Sequence, residues 1–156
     1  MTDNIKPSRR TLRFESLSDL RTDVEELAQA QVTTVGNWTF AQILDHLSRT
    51  MSASLDGFGF QAPWIIRVVA APLIKNSFLT NPMKPGFRLP KRAGHMEPPA
   101  DTRIDNALRK FFDALKRVEQ ETPTAAHPVF GQLALQEWTS LHLRHAEMHL
   151  SFVVPQ

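Results

Sequence analysis

The stretch IDNALRKFFDALKRV, residues 104–118, decides the fold class of this 156-residue chain. Its apolar residues recur at spacings of three and four, which is the period of one face of an α-helix. The stripe consists of Ile104, Leu108, Phe111, Phe112, Leu115 and Val118. We predict a helix that opens at Asp101 or Thr102 and packs this stripe against other helices.

Two helices are predicted before this segment from their capping signals. The hydroxyl of Ser16 can cap a first helix that ends around Gln31. Thr39 and Gln42 form a capping box, from which a second helix runs to a point before Gly57. Both starts place a hydroxyl where it accepts from an otherwise unpaired backbone N–H.

The remaining helical segments are a third helix over residues 64–78, bent at Pro72, and a last helix over residues 134–152. The apolar residues 63–79 are interrupted by charge and are fewer than the roughly 20 that a membrane span requires, so they indicate a buried or rim helix. No segment alternates as a strand does. We therefore predict an all-α fold, a four-helix bundle with one additional helix.

Residues 81–100 are predicted to form a long loop, because they contain five prolines and show no sustained period. A loop of this length either covers a site or is an inert surface excursion. Residues 1–14 are mostly polar, and we expect them to be flexible. The whole chain, residues 1–156, is expected to form a single domain.

Composition excludes several classes of function. The chain has 42% hydrophobic and 22% charged residues, and its formal net charge of +2 is too small to attract nucleic acid. It has no cysteine, which rules out disulfides and thiolate metal ligands. We expect no nucleic-acid partner and no membrane partner, and the N-terminus lacks a signal peptide, so we expect a cytoplasmic protein.

Three of the six histidines, His142, His145 and His149, lie in the last predicted helix. His145 and His149 are about 40° apart on consecutive turns, so both imidazoles can reach one metal ion. They share their face with apolar residues such as Trp138, and burying imidazoles without partners is costly. The alternative is a set of core histidines with hydrogen-bond partners. His142 is either a partner that orients a ligand or a packed helix residue.

Glu147 suggests the His-Glu-x-x-His zinc motif, but its spacing differs. That motif has Glu directly after the first His, whereas Glu147 follows His145 by two residues, roughly 200° around the helix. We therefore expect Glu147 to face solvent.

Two segments, NWTFAQILDHL (residues 37–47) and HAEMHLSF (residues 145–152), resemble the DinB/YfiT-like superfamily of metal-binding helical bundles. The shared pattern is a Trp-Ser/Thr helix start, a His about eight residues later and a distal helix with two His four apart. Residues 127–131 make the chain most similar to an uncharacterised branch. Met148 and residues 150–152 depart from the pattern, so no particular activity is carried over.

The resemblance implies that His46 is a third ligand beside His145 and His149, whereas the helical wheel alone fits a pocket edge or a surface position. Three neutral imidazoles leave a position open on one divalent ion, for which zinc and nickel are the best candidates. The resemblance further implies thiol transfer or hydrolysis on a small molecule, with a low-molecular-weight thiol, and a possible homodimer. The competing hypothesis is a non-catalytic metal- or ligand-binding bundle.

Asp45 is expected to face solvent or cap a neighbour.

Overall fold

The computed structural model describes residues 8–156, and most of them are helical. The prediction of a mostly helical chain is confirmed. In chain order the elements are α1 (Leu17–Gln29), β1 (Val32–Thr34), α2 (Phe40–Asp56), a π-helical turn (Ile66–Ala70) that continues into α3 (Ala71–Thr80), a 3-10 helix (Lys91–Met96), α4 (Ile104–Gln120), α5 (Leu135–Leu150) and β2 (Val153–Pro155).

The starts of the first two helices follow the predicted capping signals. The backbone N–H of Asp19 donates to the Ser16 hydroxyl at 3.1 Å, and the Asp19 carboxylate accepts from the Ser16 N–H at 2.9 Å. Thr39 and Gln42 make the same reciprocal pair at 3.2 and 3.0 Å. Because a capping box fixes the first turn, it also fixes the direction in which later residues of the helix point.

One apolar core is shared by α1, α2, α4 and α5. The predicted stripe of α4 supplies Phe111 and Leu115, which are fully buried, while Ile104 at the helix start stays 44% exposed. A second, smaller cluster surrounds Trp138 and includes Met96, so residues of the long loop also pack against the body.

The structure corrects the expectation that no strand is present. Among the described residues, β1 and β2 form an antiparallel pair in which Thr33 lies opposite Val154. Each strand has three residues, which is too short for an alternating pattern to be visible in the sequence. The strand pair connects the segment that follows α1 with the segment that follows α5.

Residues 8–14 differ from the expected flexible terminus, whereas residues 1–7 of that prediction lie outside the described residues. Arg10 makes a bidentate ion pair with Asp23 at 2.7 and 2.9 Å, and its backbone N–H donates to the Ser151 carbonyl at 2.8 Å. Phe14 is buried in the core. This N-terminal segment is therefore held against α1 and α5.

The third predicted helix is present as a rim helix, and its irregularity lies just before Pro72. Residues 64–80 are helical throughout, with the π-helical turn in the middle. Pro72 has no backbone N–H to donate, which accounts for an irregular turn at this point. Among the described residues, no helix has both the length and the hydropathy needed to cross a membrane.

Candidate metal centre

The three histidines singled out by the sequence converge in space. His46 of α2 faces His145 and His149 of α5, and one ring nitrogen from each lies within 4.8 Å of the other two. The Nε2 atom of His145 is 3.3 Å from Nε2 of His46 and 3.1 Å from Nε2 of His149. A group of this kind could hold a metal ion.

The ring of His46 is oriented by a backbone group from the long loop. Its Nδ1 lies 2.7 Å from the carbonyl oxygen of Met96, at the end of the 3-10 helix. Because a carbonyl can only accept, Nδ1 must carry the proton, and in the neutral ring Nε2 presents a lone pair to the other two histidines. Residues 81–100 thus contribute to the site through Met96.

Protons alone cannot satisfy the two short nitrogen contacts. His46 has no proton on Nε2, so its contact with His145 needs one on the His145 Nε2. That proton would remove the lone pair that His145 needs to accept from His149. At least one contact is therefore left without a well-formed hydrogen bond, whereas a cation between the three lone pairs would satisfy all of them.

The donor set and its spacing fit a divalent ion. A tetrahedral zinc with ordinary Zn–N bonds separates its ligand nitrogens by roughly 3.3 Å, close to the 3.3 and 3.1 Å of two of the three nitrogen pairs, and the third pair lies within 4.8 Å. Imidazole nitrogens suit zinc and nickel. His46 is 3% exposed, and His145 and His149 are each partly buried.

Burial keeps the three rings neutral, which is the state that binds metal. Burial lowers the pKa of His145 well below its usual value, and the neighbouring His149 and His46 lower it further. Burial, with His46 and Arg9, lowers the pKa of His149 to about 3. The pKa of His46 is also lowered, chiefly by burial, although its bond to Met96 opposes the change.

Trp38 forms one wall of the site. Its ring stacks on that of His149 with centroids 5.4 Å apart, and it lies 5.0 Å from the His46 ring. Of the other two aromatic residues near the predicted histidine helix, Trp138 is buried in the second cluster, and Phe152 lies under the guanidinium of Arg9 at 4.2 Å. Of these three aromatic rings, Trp38 is the one that packs against the rings of His46 and His149.

His142 belongs to the core and makes no hydrogen bond with the three ligands. Its Nε2 lies 3.2 Å from the Ser54 hydroxyl, and its ring stacks on Trp138 with centroids 5.5 Å apart. Burial lowers its pKa to about 4. Of the two sequence hypotheses for His142, this placement matches the packed helix residue.

The expectation that Glu147 faces solvent is wrong. Glu147 does point away from the histidines, but residues 8–14 cover that side of α5, and the carboxylate is 5% exposed. It pairs with Arg144 at 2.7 Å and accepts from the backbone N–H of Phe14 at 2.6 Å. The sequence has no local signal for this partner, because Phe14 and Glu147 are 133 residues apart in the chain.

Asp45 is also buried, with 1% exposure, and does not face solvent. It pairs with Arg49 one turn along α2 at 2.6 Å and with Lys110 of α4 at 3.0 Å. Burial by itself would raise the pKa of Asp45, but the hydrogen bonds from Arg49 and Lys110 outweigh it and lower the pKa overall. Asp45 therefore ties α2 to α4 behind the site.

Two surface depressions lie away from the histidines. The larger, about 540 Å³, is lined by residues 55–61 and 124–126. The smaller, about 220 Å³, lies beside Asp45 and Lys110. Neither of these two depressions is lined by any of the three histidines.

The fold and the site together define a mostly helical protein with a candidate three-histidine metal centre. The chain belongs to the family described as a protein of unknown function (DUF1569), whose profile matches residues 6–156. Comparisons with curated proteins and with solved structures find no match. Because the family description supplies no activity, the function has to be argued from the site.

Proposed function

We propose that this protein binds one divalent metal ion, zinc or nickel, through His46, His145 and His149. The observation that carries the proposal is the convergence of three Nε2 atoms, two pairs of which are 3.3 and 3.1 Å apart and cannot all be satisfied by protons. Three neutral ligands leave coordination positions free, which is typical of catalytic metal sites and not of closed structural ones.

The resemblance to the DinB/YfiT-like superfamily supports the same proposal. It rests on the Trp38–Thr39 helix start, on His46 and on the His145–His149 pair, which are the residues that meet in the site. We infer a bundle of that superfamily's kind, built from α1, α2, α4 and α5, which share one core. Thiol transfer or hydrolysis on a small molecule is the chemistry that this inference favours.

The residues of the chain would orient and shield the ion. Met96 holds the His46 ring in the tautomer that presents Nε2, and Trp38 covers one side of His149. When bound, a divalent ion supplies a Lewis acid that lowers the pKa of a coordinated water or thiol.

Metal analysis of the purified protein tests the proposal. We expect a stoichiometric divalent ion in wild-type protein prepared without added metal, and its loss in His145→Ala. His127→Ala is the matched control, because His127 is a partly buried histidine outside the triad and should leave the metal content unchanged. If the wild type holds no ion and His145→Ala changes neither metal uptake nor melting temperature, the proposal fails.

A second candidate is a non-catalytic metal-binding protein. It is favoured by the pairing of the acidic and basic side chains near the triad, because among residues 8–156 Glu147, Asp45 and His142 already bond to Arg144, Arg49 and Ser54. Thiol-dependent consumption of a chlorinated aromatic electrophile by metal-loaded protein would support the enzyme. Stoichiometric metal without any thiol-dependent turnover or hydrolysis would support the binder.

A further inference from the structure

The outward side of the helix over residues 64–80 is an unusually exposed apolar strip. It consists of Trp64, Ile65, Val68, Val69 and Leu73, which are 68, 56, 64, 58 and 80% exposed. All five side chains are mostly exposed to solvent, and they lie on the stretch that includes the π-helical turn. Contiguous exposed apolar surface of this kind marks a contact with another apolar phase or partner.

The opposite side of this helix is fixed to the body. Ala71 is 3% exposed, Lys75 pairs with Glu137 of α5 at 2.7 Å, and Arg67 donates to the Gln61 side chain at 2.9 Å. The two charged residues within the helix are thus directed to partners on the inner side. The apolar strip is left as a rigid, outward-facing ridge.

A cationic loop runs beside the strip. Residues 81–92 leave the end of the helix and return to its start, where Arg92 donates to the Gln61 carbonyl at 3.0 Å. Lys84, Arg88 and Lys91 are exposed on this loop, and among residues 8–156 none of them has an acidic partner within ion-pair distance. Phe87, between them, is 84% exposed.

The charge of this region has one sign. Residues 57–96 contain six Lys and Arg and no Asp or Glu, although the whole chain has 18 basic and 16 acidic residues. The small net charge of the chain therefore conceals a local basic surface next to exposed aromatic and aliphatic side chains. Interfacial helices that lie on anionic membranes combine the same two features.

We propose that the apolar strip and the cationic loop dock on the surface of an anionic lipid bilayer, with the helix lying in the plane of the interface. Trp64 and Phe87 would enter the headgroup region, where aromatic side chains are favoured, and Lys84, Arg88 and Lys91 would contact anionic headgroups. A two-fold dimer formed through this surface would place the basic residues of both copies at one interface, where their like charges would repel each other. The expectation of no membrane partner rests on the lack of a membrane-spanning segment, and docking on the bilayer surface does not require such a segment.

Co-sedimentation of the full chain with vesicles tests this proposal. We expect binding to mixed phosphatidylcholine–phosphatidylserine vesicles, with much weaker binding to pure phosphatidylcholine and loss at high salt. Lys84→Gln with Arg88→Gln should weaken binding roughly thirtyfold, since each surface cation contributes about fivefold. The matched control, Arg109→Gln with Lys116→Gln on the exposed side of α4, should change binding by less than about twofold.

The apolar contribution has its own pair of variants. Val69→Ser with Leu73→Ser should weaken vesicle binding by at least about tenfold, because both side chains would be buried in the interface. Ile104→Ser, at an apolar position 44% exposed on α4, is the control and should bind as the wild type does. Equal binding by all variants, or equal binding to neutral and anionic vesicles, would overturn the proposal.

Trp64 reports directly on the contact. It is 68% exposed while Trp138 is buried, so a blue shift of tryptophan emission on adding anionic vesicles should disappear in Trp64→Phe. A blue shift that grows with protein concentration without lipid, together with a dimeric mass, would overturn the proposal in favour of a second copy. His145→Ala should bind vesicles normally, which keeps this test independent of the metal.

Discussion

The backbone N–H of Phe14 donates to the carboxylate of Glu147 at 2.6 Å, across 133 residues of chain. Arg144 completes the link, because its guanidinium donates both to Glu147 at 2.7 Å and to the Phe14 carbonyl. The side chains of Arg144 and Glu147 are each 5% exposed. The pair therefore fastens the N-terminal segment to the helix that carries His145 and His149.

Glu147→Gln should be strongly destabilising. The substitution leaves the Arg144 guanidinium buried without its counter-charge, and removing one partner of a buried ion pair costs about 3–5 kcal/mol in the free energy of unfolding. Urea denaturation of the metal-free protein measures this loss. Glu25→Gln, an exposed acidic position on α1, is the control and should stay within about 0.5 kcal/mol of the wild type. A loss for Glu147→Gln as small as the control's would mean that the pair does not hold the segment.

Helix starts and helix periods have local signals in this sequence, whereas contacts between distant residues do not. Some features depend only on neighbours in the chain, so the sequence predicts them. They are the capping pairs at Ser16 and Thr39 and the helical period of residues 104–118. The pairing of Thr33 with Val154 and of Phe14 with Glu147 depends on distant residues and left no local pattern. Long-range contacts of this kind decide burial, which is why the sequence predicts an exposed Glu147 and leaves Asp45 either exposed or capping a neighbour.

The candidate site, too, can be predicted only in part from the sequence. The spacing of His145 and His149 placed them on one helix face, and the resemblance added His46, which the structure brings into the same group. The carbonyl of Met96 could not be predicted, because a backbone acceptor has no residue signature. The position of His142 against Ser54 depends on how α2 and α5 pack, which the helical period does not specify.

His142→Phe should retain the metal while His149→Ala loses it. His142 stacks on Trp138 and bonds to Ser54, so an aromatic replacement keeps the packing and gives up one hydrogen bond worth about 1 kcal/mol. Metal content and urea denaturation of the two variants separate the roles. If His142→Phe loses the ion although its fold is as stable as expected, then His142 orients a ligand after all.

Metal should stabilise the fold through the triad. A ligand that binds only the native state raises the free energy of unfolding by about 2.7 kcal/mol at a hundred times its dissociation constant. Zinc or nickel added to chelator-treated protein should therefore raise the melting temperature of the wild type. The double variant His145→Ala/His149→Ala should show no such rise, and an equal rise would place the ion elsewhere.

Acid should destabilise the protein through buried neutral histidines, of which His127 is the clearest to isolate. Burial lowers the pKa of His127 from its usual 6.5 to about 4, and its Nδ1 accepts from the backbone N–H groups of Val129 and Phe130 at 3.1 Å. Between these pH values the unfolded chain binds the proton and the folded chain does not, so the free energy of unfolding falls as the pH is lowered from 6.5 towards 4.

The share of His127 in this loss is up to about 3 kcal/mol, since one pKa unit corresponds to about 1.4 kcal/mol. Asn at position 127 offers an oxygen to the same two N–H groups and does not titrate, so His127→Asn should lose less stability on acidification than the wild type. The measurement is a series of urea denaturations from pH 7.5 to about 4 with a chelator present. The triad and His142 titrate in both proteins, so the difference between the two curves reports His127 together with its smaller effect on the pKa values of His142 and His145. Parallel curves would show that His127 is not kept neutral by the fold.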